Sequence, residues 1–161
     1  MLTFSILTIS DKGARGQRYD ESGQTIRDTF SNVDSENVNY EIVPDERDVI
    51  SQKLAEWADK GATDVIITTG GTGLGERDVT PEATIAVVDR VVPGFAEAMR
   101  AISLSKTPMA MLSRATAGVR GKCLIINLPG SPKAVRECLE AVLPAIPHAV
   151  DIIKGVVTEH S

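Results

Sequence analysis

An apolar, β-branched run, Ile66-Ile67-Thr68-Thr69, enters the glycine cluster Gly70-Gly71-Thr72-Gly73-Leu74-Gly75 and leaves through Glu76-Arg77-Asp78-Val79-Thr80-Pro81-Glu82-Ala83. The run reads as a buried strand and Thr80-Pro81-Glu82 as a helix start with Thr80 as its cap, which commits the chain to a strand–loop–helix unit. Glycines let such a loop take positive φ and bring its backbone close to a ligand. The helix that follows adds the positive end of its dipole, so the segment has the grammar of an anion site. A short β-to-α connection needs one or two glycines, and four exceed what a plain turn requires. Asp78 beside Arg77 puts a carboxylate where anions gather, an arrangement useful mainly when a metal ion is present. No Gly-Lys-Ser/Thr follows the glycines, which excludes a Walker A loop, and Glu76 breaks the G-x-G-x-x-G dinucleotide pattern.

A second segment, Cys123-Leu124-Ile125-Ile126-Asn127-Leu128-Pro129-Gly130-Ser131-Pro132-Lys133-Ala134, repeats the design. A buried-looking strand ends in Pro129-Gly130, Ser131 is a good N-cap, and Pro132 takes the favoured first helical position. Two strand ends followed by helix N-termini in one small chain point to a shared ligand crevice.

The rest of the chain alternates in the same way. Strands are expected at Phe4 to Ile9, Val38 to Val43, Asp64 to Thr69 and Lys122 to Leu128. Helices are expected around Gln24 to Phe30, from Pro44-Asp45 to Gly61, from Thr80 to about Arg90, and from Pro93 through Ile102. Two more are expected over Pro132 to Val142 and near Ile146 to Lys154. Residues 103–120 read equally well as helical or extended. Ser10 to Gly23 is a long polar loop of the kind that carries function. The alternation predicts an α/β fold, a single three-layer α/β/α domain with a mainly parallel or mixed central sheet.

With 161 residues, 42% of them hydrophobic, the chain can bury one good core. Its 17 basic and 22 acidic residues leave a net charge of −5, which argues against nucleic acid as partner. A phosphate-rich ligand must therefore be met locally, and Arg15, Arg18, Arg77, Arg114, Arg120, Lys122 and Lys133 are the candidate cations. Cys123 and Cys138 lie in apolar and helical runs, as small core residues of a reducing compartment do. His148 and His160 are isolated, which speaks against histidine acid–base chemistry. No leader or membrane-length apolar run is present, and a cytoplasmic location is expected.

Thr69-Gly70-Gly71-Thr72-Gly73, Arg77-Asp78-Val79-Thr80-Pro81-Glu82-Ala83 and Leu128-Pro129-Gly130-Ser131-Pro132-Lys133 resemble the signatures of the molybdopterin-binding family. Ile9-Ser10-Asp11, Val43-Pro44-Asp45-Glu46, Val92-Pro93-Gly94-Phe95 and Leu112-Ser113-Arg114 extend the resemblance over nearly the whole chain, as a single molybdopterin-binding domain over 1–161. Within the family the chain looks most like the molybdopterin adenylyltransferases of the MogA group. The MoaB group shares the glycine loop but tends to lack the Arg-Asp-x-Thr-Pro and Ser-Pro elements.

The resemblance implies magnesium-dependent transfer of AMP from ATP to the terminal phosphate of molybdopterin, with release of pyrophosphate. It implies Asp45 and Asp78 as catalytic carboxylates and metal ligands, although spacing alone allows Asp45 to be only a helix N-cap. The loop from Gly70 to Gly75 and the turn Pro129 to Pro132 would hold pterin and phosphates. Ser10, Asp11, Thr69, Thr72, Gly73, Arg77, Thr80, Pro81, Glu82 and Asn127 complete the expected substrate-binding set. A homotrimer and a molybdenum-inserting partner protein are implied by analogy, and apolar residues between Pro93 and Met111 suit either an interface or the core. The alternative is a non-catalytic molybdopterin-binding or carrier protein of MoaB type.

Overall fold

Consecutive isoleucines in the central strands decide the layering, because a strand sends successive side chains to opposite faces. A computed structural model describes residues 1–156, so His160 lies outside the described residues. The strands are β1 (Leu2–Ile9), β2 (Ser35–Val43), β3 (Val65–Thr69), β4 (Arg90–Val91), β5 (Ala117–Arg120) and β6 (Cys123–Leu128). The helices are α1 (Asp11–Ala14), α2 (Glu21–Phe30), α3 (Arg47–Asp59), α4 (Thr80–Ile85), α5 (Pro93–Leu104), α6 (Pro132–Val142) and α7 (Ile146–Ile153). Single 3₁₀ turns span Pro108–Leu112 and Leu143–Ala145.

Ile66 and Ile125 face one layer, where they meet Ile50, Leu54 and Trp57 of α3 and Ala83 of α4. Ile67 and Ile126 face the other, against Ile26 and Phe30 of α2, Met99 of α5, Val135 and Leu139 of α6 and Val150 of α7. All four isoleucines are fully buried. Each contributes about 1.5–3 kcal/mol over exposure, which anchors the strands whose ends carry the loops. The molecule is therefore a three-layer α/β/α fold.

The sheet order is β2-β1-β3-β6-β5-β4. Strands β2, β1, β3 and β6 run parallel, whereas β5 is antiparallel to both β6 and β4, so the sheet is mixed. From β1 the chain first moves outward to β2 and then returns past β1 to β3. Loops leaving the carboxyl ends of β1 and β3 thus diverge to opposite layers and open a crevice between them, the usual ligand position in such sheets.

Several expectations are corrected. Helix α4 stops at Ile85 rather than near Arg90, because β-branched Val87 and Val88 turn away and Arg90–Val91 pairs with β5. Residues 103–120 resolve into the end of α5, a 3₁₀ turn and β5. The loop from Ser10 to Gly23 is interrupted by the single turn α1, which Ser10 caps by accepting from the Gly13 amide, and it ends early at α2. As expected of small core residues, Cys123 and Cys138 are buried free thiols, and burial pushes the Cys123 thiol up to about 12. Among the described residues no helix is long and apolar enough to cross a membrane.

Candidate active site

The crevice between β1 and β3 is an open cleft of about 650 Å³, large enough for a sizeable small molecule. Thr69, Gly70 and Gly71 from the end of β3 form one wall, and Gly130, Ser131 and Pro132 from the end of β6 form another. The segment from Arg18 to Ser22 supplies a third side, and Ser10 and Asp45 also line the cleft.

The two glycine turns are tied directly together. Thr69 Oγ1 donates to the Pro129 carbonyl at 2.6 Å, and the Gly70 amide donates to the Leu128 carbonyl at 3.2 Å. Gly70 and Gly71 have φ of 97° and 70°. A side chain at Gly70 would collide with the Ile9 carbonyl, and one at Gly71 with Thr80 Oγ1. Thr80 is fully buried and donates to the Gly70 carbonyl at 2.9 Å, while its amide donates to the Gly71 carbonyl at 3.1 Å. The expected helix cap falls instead on Val79, which makes no side-chain cap bond.

Asp45 does not cap α3. The cap position belongs to Glu46, whose side chain makes no cap bond. Asp45 and Asp11 instead exchange backbone-to-carboxylate hydrogen bonds: the Asp11 amide donates to Asp45 Oδ2 at 2.9 Å and the Asp45 amide to Asp11 Oδ1 at 3.0 Å. This exchange fastens the ends of β1 and β2. Arg77 then grips Asp11 through Nε and Nη2 at 3.0 and 2.9 Å and reaches Glu46 at 3.0 Å. Hydrogen bonding from Arg77 holds the Asp11 carboxyl below its ordinary value. Burial, together with the negative charges of Asp11 and Asp78, pushes the Asp45 carboxyl upward.

Asp78 lies half-buried on the glycine loop and accepts from the Gly75 amide at 2.9 Å. Arg114 fixes that loop from behind. Its guanidinium donates to the Gly73 and Asp78 carbonyls at 2.8 and 2.7 Å and pairs with Glu82 at 2.6 Å, and its amide donates to the Thr72 carbonyl at 2.8 Å. Arg114 and Glu82 are therefore struts of the loop, and Pro81 and Thr72 are buried within it.

Asn127 does not line the cleft. It is fully buried and bonded to Thr68 Oγ1 and Thr84 Oγ1 at 3.1 and 3.0 Å, and it accepts from the Thr116 amide at 3.2 Å. It stitches β3, α4 and the segment before β5 together from inside. The structure thus gathers Ser10, Asp45, Thr69, Gly70, Gly71, Gly130, Ser131 and Pro132 on the cleft wall. Asp11, Gly73, Arg77 and Asp78 belong to the hydrogen-bonded loops beside it.

Sequence reasoning passed over Asp20. Its Oδ1 accepts from the Gly23 amide at 2.9 Å to cap α2, and its Oδ2 accepts from Thr8 Oγ1 and the Tyr40 hydroxyl, both at 2.6 Å. The cap was legible in Asp20-Glu21-Ser22-Gly23, but partners 12 and 20 residues away were not. Ser22 also donates to the Gly130 carbonyl at 2.6 Å, docking α2 on the second turn.

The sequence profile described as "Probable molybdopterin binding domain" matches residues 5–148. A molybdopterin adenylyltransferase of Helicobacter pylori (strain J99) is 50% identical over 152 residues, which span 93% of this chain and 86% of that protein. The enzyme of the same name from Escherichia coli K12 is 37% identical, over 98% of this chain and 88% of its own. Among solved structures, the molybdopterin biosynthesis enzyme MoaB of Thermus thermophilus superposes with a TM-score of 0.91 at 55% identity, covering 96% of this chain and 98% of that one. With this fold, these paired glycine turns and a match over most of its length, the chain belongs to the molybdopterin-binding domain family of molybdenum cofactor biosynthesis.

Proposed function

We propose that this protein is a molybdopterin adenylyltransferase, acting as one domain in the cytoplasm. A terminal phosphate oxygen of molybdopterin attacks the α-phosphorus of ATP, a new P–O bond forms, and the bond to the β-phosphate oxygen breaks. Pyrophosphate leaves with the electron pair and AMP remains on the pterin phosphate. No side-chain nucleophile is needed, so the protein's task is to align two anions and compensate their charge.

The observation that carries this reading is the placement of Asp45 in the lining of a cleft walled by two helix-leading turns. Helix α6 presents its N-terminus there through Ser131 and Pro132, a favourable position for phosphate. Glycine at position 71 matters for the carboxylate too, because a Cβ there would lie 3.3 Å from Asp45 Oδ1 and crowd it. Asp45 and Asp78 lie close enough for the charge of Asp78 to act on the Asp45 carboxyl, and such a pair of carboxylates suits magnesium, which is commonly held by one or two carboxylates together with substrate phosphates. Asp45 and Asp78 would hold it, and when bound it supplies charge neutralisation on the triphosphate oxygens. Asp11 and Arg77 hold the Asp45 side of the site, and Arg114 holds the Asp78 side.

Exposed apolar residues cluster away from the cleft, on α5 and the following 3₁₀ turn, where Leu104, Met109 and Met111 are open to solvent. They support assembly as a homotrimer, and a molybdenum-inserting partner would take the adenylylated product.

The test incubates purified protein with molybdopterin, ATP and Mg²⁺ and follows adenylylated molybdopterin by mass spectrometry. Wild type is expected to form product, and Asp78→Asn to lose about 100-fold or more in rate while folding normally. Tight pterin binding without product under any metal condition would reassign the chain to the non-catalytic, MoaB-type binding role. A fully active Asp78→Asn enzyme would remove Asp78 from the mechanism.

A further inference from the structure

We propose that Arg18 and Tyr19, on the third side of the cleft, form a clasp for a planar heterocycle carrying phosphate, with the guanidinium on the phosphate and the phenol ring on the heterocycle. The inference rests on the adenylyltransferase reading, in which both substrates have that chemistry.

The charges lining the cleft motivate it. Asp20, Glu21 and Asp45 contribute carboxylates, whereas Arg18 is the one basic side chain among the described residues on its wall. The other arginines near the glycine loop are committed elsewhere, Arg77 to Asp11 and Glu46, and Arg114 to Glu82. Arg18 is exposed and has no carboxylate partner among the described residues. An anion entering this cleft must overcome the carboxylates, and Arg18 is the guanidinium available to pair with it through a fork of donors.

Tyr19 is the second observation. Its side chain is 73% exposed although it lines the same cleft, so a large flat ring is offered to whatever enters. The segment bearing both residues is fastened at its base. Asp20 is held by Thr8, Tyr40 and the Gly23 amide, and Ser22 is bonded to Gly130 on the opposite turn. These bonds hold Asp20 and Ser22 beside the Gly130–Pro132 turn, so Arg18 and Tyr19 are carried on an anchored stretch of backbone.

The experiment measures equilibrium binding of Mg·ATP and, separately, of molybdopterin to wild type, Arg18→Ala, Tyr19→Ala and Tyr19→Phe. Each alanine variant is expected to weaken one of the two probes by about tenfold or more, while Tyr19→Phe stays within about twofold of wild type. Whichever probe responds is the occupant of the clasp. Arg18→Ala is also expected to flatten the salt dependence of that probe's affinity, a change that a packing role would not produce. Unchanged affinities for both probes in both alanine variants would overturn the clasp and leave the enzyme reading intact. A wild-type protein that binds neither probe would overturn both.

Discussion

The two turns that wall the cleft are built to the same plan in sequence, yet they are held by different physics. At the end of β3, Gly70 and Gly71 sit at positive φ with neighbouring atoms where a side chain would be, so the turn is defined by backbone shape. At the end of β6, a Cβ on Gly130 would meet only the Gly70 Cα at 3.6 Å, an ordinary contact. That second turn is defined by caps and docking bonds: Ser131 Oγ accepts from the Ala134 amide, and Ser22 and Thr69 donate to the carbonyls of Gly130 and Pro129. Ion pairs also separate them. Arg77 and Arg114 brace the first turn, while the second relies on hydroxyls for its side-chain ties among the described residues. The lesson is that glycine counts do not measure steric need, because the same Gly in two similar turns is obligatory in one and convenient in the other.

The sharpest way to break this comparison is Gly70→Ala. The left-handed backbone and the Ile9 carbonyl together are expected to cost about 3 kcal/mol or more, read as a lower urea midpoint. Next in size is Ser131→Ala, which removes the cap of α6 and is expected to cost about 1 kcal/mol in the same assay. If it cost nothing, the second turn would not be held by its cap.

Acid titration sharpens the contrast further. Asp11 and Glu82 have carboxyls held below their ordinary values of 3.8 and 4.5 by Arg77 and Arg114. Lowered values mean stabilisation that is present above the unfolded-chain pKa and lost as pH falls through the folded one. Thermal stability is therefore expected to drop modestly below about pH 4, with NMR signals of residues 70–78 moving before those of 129–134. Asp45 opposes this trend slightly, since its raised carboxyl is relieved on protonation. Simultaneous movement of both turns would show that the ion pairs do not act locally. The smallest expected effect is Gly130→Ala, within about 0.5 kcal/mol of wild type, and a cost approaching that of Gly70→Ala would dissolve the distinction.

Local patterns made much of the fold legible. Helix α6 begins and ends as read from Ser131-Pro132 and its apolar spacing, and the four parallel strands follow from their β-branched runs. Misreadings arose where a local signal had a distant competitor. Thr80 resembles a cap, but its hydroxyl serves the Gly70 carbonyl. Asn127 resembles a cleft residue at a strand end, but it faces inward to Thr68 and Thr84. Arg114 resembles a ligand cation, but it braces the glycine loop.

Residue order by itself determined the strand–turn–helix units, the two-sided apolar strands and the family signatures, since these depend on propensity, periodicity and spacing within a few residues. Only the tertiary structure decided which charges face the cleft and which are spent inside the protein. That choice depends on the doubly wound crossing, which brings Asp11 beside Asp45 and Arg77 and leaves Arg18 on the cleft wall without a carboxylate partner among the described residues. Side-chain direction and pairing across 30 to 70 residues are properties of packing, and local sequence carries no term for them.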